Sequence, residues 1–221
     1  MIPVNNFQVD TITQELNSKS TQGKDNITLY STYACLLTNL FDETKNFSTY
    51  EMAHWINNTD RWLHNRTYVN TTGYKRGSIL MVDLGATNYR FEPSFTHPCV
   101  VLAEMKHFIL IAPCSSKKYH SGYPEIIDAT PQDGFSYNTG IQTKSIRWIS
   151  KNRVLTKLGT VSSSILDKID NQLLNLIPLH KKIIIQKENE IKQLKHDLSA
   201  ATESVQHLKL AYENLKSQKP V

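Results

Sequence analysis

Two short stretches of this chain bring together residue types that exchange protons and neutralise phosphate. In the first, Arg90, Glu92 and His97 set a permanent cation, a carboxylate and an imidazole on one loop running from Gly85 to His97. Carboxylate and imidazole are common carriers in general acid–base chemistry, and histidine both gives and takes a proton near neutrality. In the second, Ser115, Ser116, Lys117 and Lys118 run directly into Tyr119 and His120. Hydroxyls and cations suit phosphate oxygens, and an aromatic ring suits an unstacked base. A Lys-Lys pair taken alone is more often a solvated loop than a site.

Composition bounds what else the chain can be. Its 221 residues carry 25 Lys+Arg against 20 Asp+Glu, a formal charge of +5 that permits a nucleic-acid partner without arguing for one. Residues 179–221 hold eight Lys against five acidic residues, whereas the other 178 residues hold 17 against 15, so the surplus lies mainly at the C-terminal end. Cys35, Cys99 and Cys114 have no C-x-x-C spacing and cannot build a disulfide framework or a four-ligand zinc site unaided. They read as reduced, buried thiols, and neither metal nor cofactor is expected. The first thirty residues hold no basic stretch followed by an apolar one, and no apolar run is long enough to span a bilayer. A cytoplasmic protein without membrane contact is the expectation.

The elements that must position these residues follow from periodicity. Residues 1–26 are polar without a sustained period and read as a flexible arm. Residues 27–72 read as a helical extension: Leu29, Tyr33, Leu36, Leu37, Leu40 and Phe41 recur at helical spacing. Ser48 and Glu51 then form an S-x-x-E capping box ahead of a stripe of Met52, Trp55, Ile56, Trp62 and Leu63, which reads as core. From Gly73 the pattern changes to short branched runs bounded by Pro, Gly, Asn or Asp: 78–84, 99–103, 108–112, 125–128 and 145–150. These read as strands of a small barrel or curled sheet over 73–178, with Trp148 in its core. The spacing of Ile165, Ile169, Leu173, Leu176 and Ile177 adds a helix over 162–177, stopped by Pro178.

Beyond Pro178 a heptad repeat sets in over 179–217. Ile184, Ile191, Leu198, Val205 and Tyr212 occupy one seam position, and Leu194, Ala201, Leu208 and Leu215 the other, with Lys187 as the polar exception. Residues 184–215 would form a rod of roughly 48 Å at 1.5 Å per residue. Ile at the first seam position with mostly Leu at the second favours a parallel pair, in which Glu190 meets Lys195 of a second copy. A hairpin arm lying on its own domain is the competing reading.

The blocks Arg76-Gly-Ser-Ile-Leu-Met-Val-Asp-Leu-Gly85, Thr96-His-Pro-Cys-Val-Val-Leu102, Ile111-Ala-Pro-Cys-Ser-Ser116, Gly122-Tyr-Pro, Asp133-Gly-Phe and Gln142-Thr-Lys-Ser-Ile-Arg-Trp148 occur in that order, ahead of a final block from Arg153. In order and spacing they resemble the MazF/PemK/Kid toxin family over residues 76–177. The resemblance implies an α+β fold, an SH3-like small β-barrel with a C-terminal helix, here preceded by a helical pair and followed by a long coiled-coil helix. It also implies a homodimer that cleaves single-stranded RNA without a metal and is neutralised by an antitoxin.

Carried over residue by residue, the resemblance makes Glu92 the general base, His97 the general acid and Ser115 a donor to the scissile phosphate. Arg90, Ser116, Lys117, Lys118 and Gln142 become RNA-binding residues. This sequence departs from the family in two places: His97 stands where many members carry Arg, and Ile141 where several carry Asp. Those departures leave room for a catalytically weakened RNA- or protein-binding module tethered by its coiled coil.

Overall fold

The structure is a computed structural model that describes residues 4–176 and 178–217. Ile177 and the side chains of Leu176, residues 178–180 and Leu215 lie outside the described residues. The chain divides into two compact units: residues up to Asn70 together with Asp83–Thr96, and Thr71–Val82 together with the chain from His97 on.

The first unit contains α1 (Asn6–Thr13), α2 (Ile27–Thr44) and α3 (Thr49–Asn65). The expected irregular arm thus contains an eight-residue helix, started by Asn5, whose side chain accepts from the Gln8 N–H. Asn26 caps α2 by accepting from the Leu29 N–H at 3.0 Å. The capping box of α3 is present as the S-x-x-E spacing predicts: Ser48 Oγ accepts from the Glu51 N–H, and the Glu51 carboxylate accepts from the Ser48 N–H. The Ser48 hydroxyl, which also donates to the Glu51 carboxylate at 2.7 Å, and then the Ser48 N–H hold the Glu51 carboxyl below its ordinary range.

The expectation that the α3 stripe is core does not hold, and the apolar face of α2 is largely uncovered as well. Tyr33, Leu36, Leu37, Phe41, Ile56, Trp62 and Leu63 are all exposed, and Trp55 packs edge-on against Phe47 at only 5.9 Å. The eight-residue α1 has no buried residue, so α2, α3 and one loop are too few layers to enclose both stripes. Cys35 on α2 is half-buried, contrary to the expected buried thiol.

The second unit is an open, antiparallel seven-stranded sheet with α4 (Ser163–Leu176) and α5 (Pro178–Ser217). Its strands are β1 (Ser78–Asp83), β2 (Thr96–Glu104), β3 (Phe108–Ser115), β4 (Ile126–Ala129), β5 (Thr139–Gln142), β6 (Arg147–Ser150) and β7 (Val154–Thr160). The order is β4-β5-β3-β2-β1-β7, with β6 also pairing β3. Register shifts in the β1–β7 and β2–β3 pairs mark bulges, which bend strands and increase twist.

Ile79, Val100, Leu102, Ala112, Cys114, Ile141, Ile165 and Ile169 form the core of this unit. Fully burying an Ile or Leu side chain contributes about 1.5–3 kcal/mol, so the α4 face of Ile165 and Ile169 holds that helix on the sheet. Trp148, read as core, is instead 45% exposed on β6. Pro178 both ends α4 and opens α5, where its missing N–H is harmless in the first turn. The described seam residues of α5 from Ile191 to Tyr212 are exposed, so α5 is not a hairpin arm packed along its own domain. Among the described residues no helix is long and apolar enough to cross a membrane.

Candidate active site

The loop from Asp83 to Thr96 carries Arg90 and Glu92, and α3 grips it. Within the loop, the Leu84 N–H donates to Phe95 O and the Phe95 N–H to Gly85 O, each at 2.7 Å. Asn88 Nδ2 spans the interior, donating to the carbonyls of Leu84 at 3.0 Å and Pro93 at 2.6 Å. Phe95 adopts φ +67°, a left-handed conformation uncommon for a bulky residue. Its ring stacks on His54 with centroids 5.0 Å apart, while Tyr50 meets it edge-on at 6.5 Å.

Arg61 adds a polar clasp: Nε donates to Asp83 Oδ2 at 2.8 Å and a terminal nitrogen donates to Thr96 Oγ1 at 3.3 Å. Asp83 in turn accepts from the Gly85 N–H at 2.9 Å. On this loop Glu92 is exposed, with its N–H bonded to Tyr89 O, and Arg90 is exposed with its guanidinium 5.4 Å from the Phe91 ring centre.

His97, placed by its sequence at the end of the loop, is the second residue of β2 and belongs to the second unit. Its Nδ1 lies 2.9 Å from the carbonyl oxygen of Cys114. A carbonyl only accepts, so Nδ1 carries the hydrogen and Nε2 is the nitrogen left to exchange a proton. Cys114 ends the buried part of β3, and the next residue is the half-buried Ser115. His97 is therefore bonded to the peptide that leads into Ser115. Burial pushes the Cys114 thiol up to about 12 and the Cys99 thiol well above its ordinary value, so neither is a nucleophile near neutral pH.

Ser116–Lys118 follow as an exposed 3₁₀ turn. Gly140 of β5 lies beneath this turn: a Cβ there would sit 2.7 Å from the Lys118 carbonyl carbon and oxygen. Beyond the turn, Tyr119 and His120 stack at 4.0 Å, and the His120 N–H donates to Asp128 at 3.0 Å. Lys118 Nζ and Lys144 Nζ lie 5.8 and 5.6 Å from the centre of the same ring, Tyr123. Lys144 also pairs with Glu125, and its hydrogen bond is the main reason that carboxyl is held below the ordinary range.

The result is an exposed rim of cations and aromatic faces next to Ser115. Gln142 lies on β5 but is only 6% exposed, leaving little surface for a base edge. Among the described residues no group of three or more His, Cys, Asp or Glu side chains could hold a metal ion.

Residues 75–177 match the family model described as the PemK-like, MazF-like toxin of type II toxin-antitoxin systems. This segment is a PemK/MazF-like domain. Solved structures similar to the chain include MazF from Deinococcus radiodurans, 16% identical over 48% of this chain and 96% of that one, with a TM-score of 0.42. Another is an endoribonuclease in complex with its cognate antitoxin from a Mycobacterial species, 16% identical over 47% and 93%, with a TM-score of 0.38. The Mycobacterium tuberculosis toxin MazF-mt6 is 11% identical over 44% and 93%, with a TM-score of 0.36. None of the curated proteins compared matches.

Within the PemK/MazF-like domain, sequence reasoning found the hydroxyls, Lys117, Lys118 and the Tyr-His step, but not Tyr123 and Lys144. Tyr123 lies in the Gly122-Tyr-Pro block and Lys144 two residues after Gln142, so both stood inside recognised blocks. Their convergence depends on the β4–β5 pairing, which no local pattern announces. Sequence reasoning also missed Arg61 and His54, whose partners lie 22 and 41 residues further along the chain.

Proposed function

We propose that this chain is the toxin of a toxin-antitoxin pair, a metal-independent endoribonuclease that cuts single-stranded RNA with the ribose 2′-hydroxyl as nucleophile. The observation that carries this reading is the bond from His97 Nδ1 to Cys114 O. It leaves Nε2 as the nitrogen free to exchange a proton, on a histidine bonded to the peptide that leads into Ser115 and the Ser116–Lys118 turn. In the proposed reaction a base takes the 2′-hydroxyl proton, the 2′-oxygen attacks phosphorus, and His97 Nε2 protonates the departing 5′-oxygen. The products are a 2′,3′-cyclic phosphate and a free 5′-hydroxyl.

Ser115 donates to a phosphate oxygen, with Ser116, Lys117, Lys118 and Arg90 binding flanking phosphates. Glu92 is proposed as the base from its place five residues before His97 in the chain. Gln142, buried on β5, serves by holding that strand rather than by reading a base. The partners proposed are an antitoxin and a second copy of the chain, paired through the sheet domain and through a coiled coil of α5. The proposed location is the cytoplasm.

Purified protein incubated with a long RNA in EDTA should cut it and leave cyclic phosphate ends, and Glu92→Ala with His97→Ala should abolish cutting. Intact RNA at stoichiometric enzyme would overturn the reading.

One observation favours a second reading, that of a binding module without turnover: Ile141, where the resemblance implies Asp in several family members, is fully buried in the core and supplies no proton carrier. Overexpression in a bacterial host separates the two. Growth arrest relieved by His97→Ala supports the enzyme, and harmless overexpression supports the module.

A further inference from the structure

We infer that α5 pairs with α5 of a second copy in antiparallel orientation, an inference that rests on the reading of α5 as a coiled coil and is independent of the RNA reading. The starting observation is that Ile191, Leu194, Leu198, Val205, Leu208 and Tyr212 are all at least half exposed along one stripe of a 40-residue helix. A seam of this width is buried by one helix of matching pattern.

Two residues decide the orientation. In a parallel pair every seam residue faces its own copy, so Lys187 meets Lys187 and Ala201 meets Ala201. The first is a like-charge layer and the second leaves the seam underfilled. In an antiparallel pair the two seam positions face each other, and centring the pair between Ser199 and Ala200 gives Lys187 opposite Tyr212, Ile191 opposite Leu208, Leu194 opposite Val205, and Leu198 opposite Ala201. No layer then sets two alanines or two like charges against each other: Leu198 covers Ala201, Leu194 meets Val205, Ile191 meets Leu208, and Lys187 lies along an aromatic face.

The flanks agree with this arrangement. Glu190, which a parallel pair would need for Lys195 of the partner copy, is already engaged on its own helix by Lys187 Nζ at 2.7 Å and Gln186 Nε2 at 3.2 Å. In the antiparallel register Glu188 faces Lys209 of the other copy twice, by symmetry. Lys195 then faces Thr202 and Asp197 faces Ser204, so no like charges oppose one another between positions 188 and 209. Charge alone does not separate the orientations, since each offers one symmetric attractive pair. The seam does.

Distances between spin labels on the full-length chain test this, using Cys35→Ser so that the only other thiols are the buried Cys99 and Cys114. Glu213→Cys is exposed and off the seam. Two copies labelled there should lie about 40 Å apart if antiparallel, from 27 residues of offset at 1.5 Å each. If parallel they would lie within roughly 20 Å, given helix axes 8–10 Å apart. Mixing Gln186→Cys chains with Glu213→Cys chains should give the short distance, because positions 186 and 213 share a layer in the antiparallel register. A short 213-to-213 distance with a long 186-to-213 distance overturns the orientation. No dipolar signal in either sample, or one only when an antitoxin or other protein is added, overturns self-pairing itself. All of these outcomes leave RNA cleavage unaffected.

Discussion

His97 donates its Nδ1–H to the carbonyl oxygen of Cys114 across 2.9 Å, and the carbonyl carbon of Cys114 is bonded directly to the nitrogen of Ser115. The imidazole is thereby fixed in one tautomer by the peptide that positions the neighbouring hydroxyl. Replacing His97 with Asn keeps a donor for Cys114 O and removes the exchanging nitrogen. Cleavage should fall by about 10²–10⁴-fold, the range for loss of a general acid or base, while thermal stability stays close to that of the parent. Both can be read from RNA gels in EDTA and a melting curve.

Arg61→Ala should loosen the loop that carries Arg90 and Glu92. The change leaves Asp83, which is buried, without its Arg61 bond and should cost about 1–3 kcal/mol. The more specific readout is amide exchange. The Leu84 and Phe95 N–H groups, each bonded at 2.7 Å within the loop, should exchange faster in the variant, whereas amides of the β2–β3 ladder should not. Uniform acceleration would make Arg61 a general stability residue.

Acid should weaken the second unit through Glu104. Its carboxylate accepts from the buried Lys151 and from the Tyr74 N–H at 2.9 Å, and these bonds, Lys151 first, hold it below the ordinary range. A carboxyl depressed in the folded state contributes stability above its unfolded value of about 4.3 and loses that contribution as pH falls through its folded value. Glu104→Gln should therefore destabilise the protein by about 1–3 kcal/mol at pH 7. The gap to the parent should close as pH drops below about 4. Urea melts at both ends of that window measure it, and a gap of equal size at low pH would place the effect elsewhere.

Thiol reactivity should separate the three cysteines. Cys99 and Cys114 are buried with thiols pushed upward, whereas Cys35 is half-buried on α2. An aromatic disulfide reagent at pH 8 should titrate one thiol per native chain and three in denaturant. More than one in the native state would mean that the sheet opens on the timescale of the assay.

Gly140→Ala should displace the 3₁₀ turn of Ser116–Lys118, because the new methyl would lie 2.7 Å from the Lys118 backbone and equally close to Ile126. Overpacking of this kind costs roughly 1–3 kcal/mol. RNA affinity should fall with it, measured as a binding titration at two salt concentrations. Unchanged binding in a destabilised variant would show that the turn does not contact RNA.

The legibility of the fold in the sequence followed the strength of local signals. The Ser48–Glu51 box, the branched run at Ser78–Asp83 and the helix ended by Pro178 were all readable, because each depends on residues a few positions apart. β5 and β7 were not. Thr139–Gln142 is four residues long and contains a glycine, and Val154–Thr160 includes Lys157 and Gly159 and is largely exposed.

The same division runs through the candidate site. Ser115, Ser116, Lys117 and Lys118 are consecutive and were visible as a run, whereas Tyr123 and Lys144 meet only through strand pairing. The stripe of α3 misled for the opposite reason: helical spacing reports which residues share a face, and says nothing about whether a second layer exists to cover it.

Helices in proteins draw most of their stability from packing of an apolar face, and the seam of the 40-residue α5 is exposed in the single chain. If it pairs as proposed, the helical content of the C-terminal fifth of the chain becomes a function of how many copies are present, by mass action. The temperature at which α5 loses its helix should then rise with protein concentration. Such a chain would carry a built-in dosage reading, its rod dissolving when the protein is scarce and zipping when it accumulates, while the sheet domain stays folded throughout.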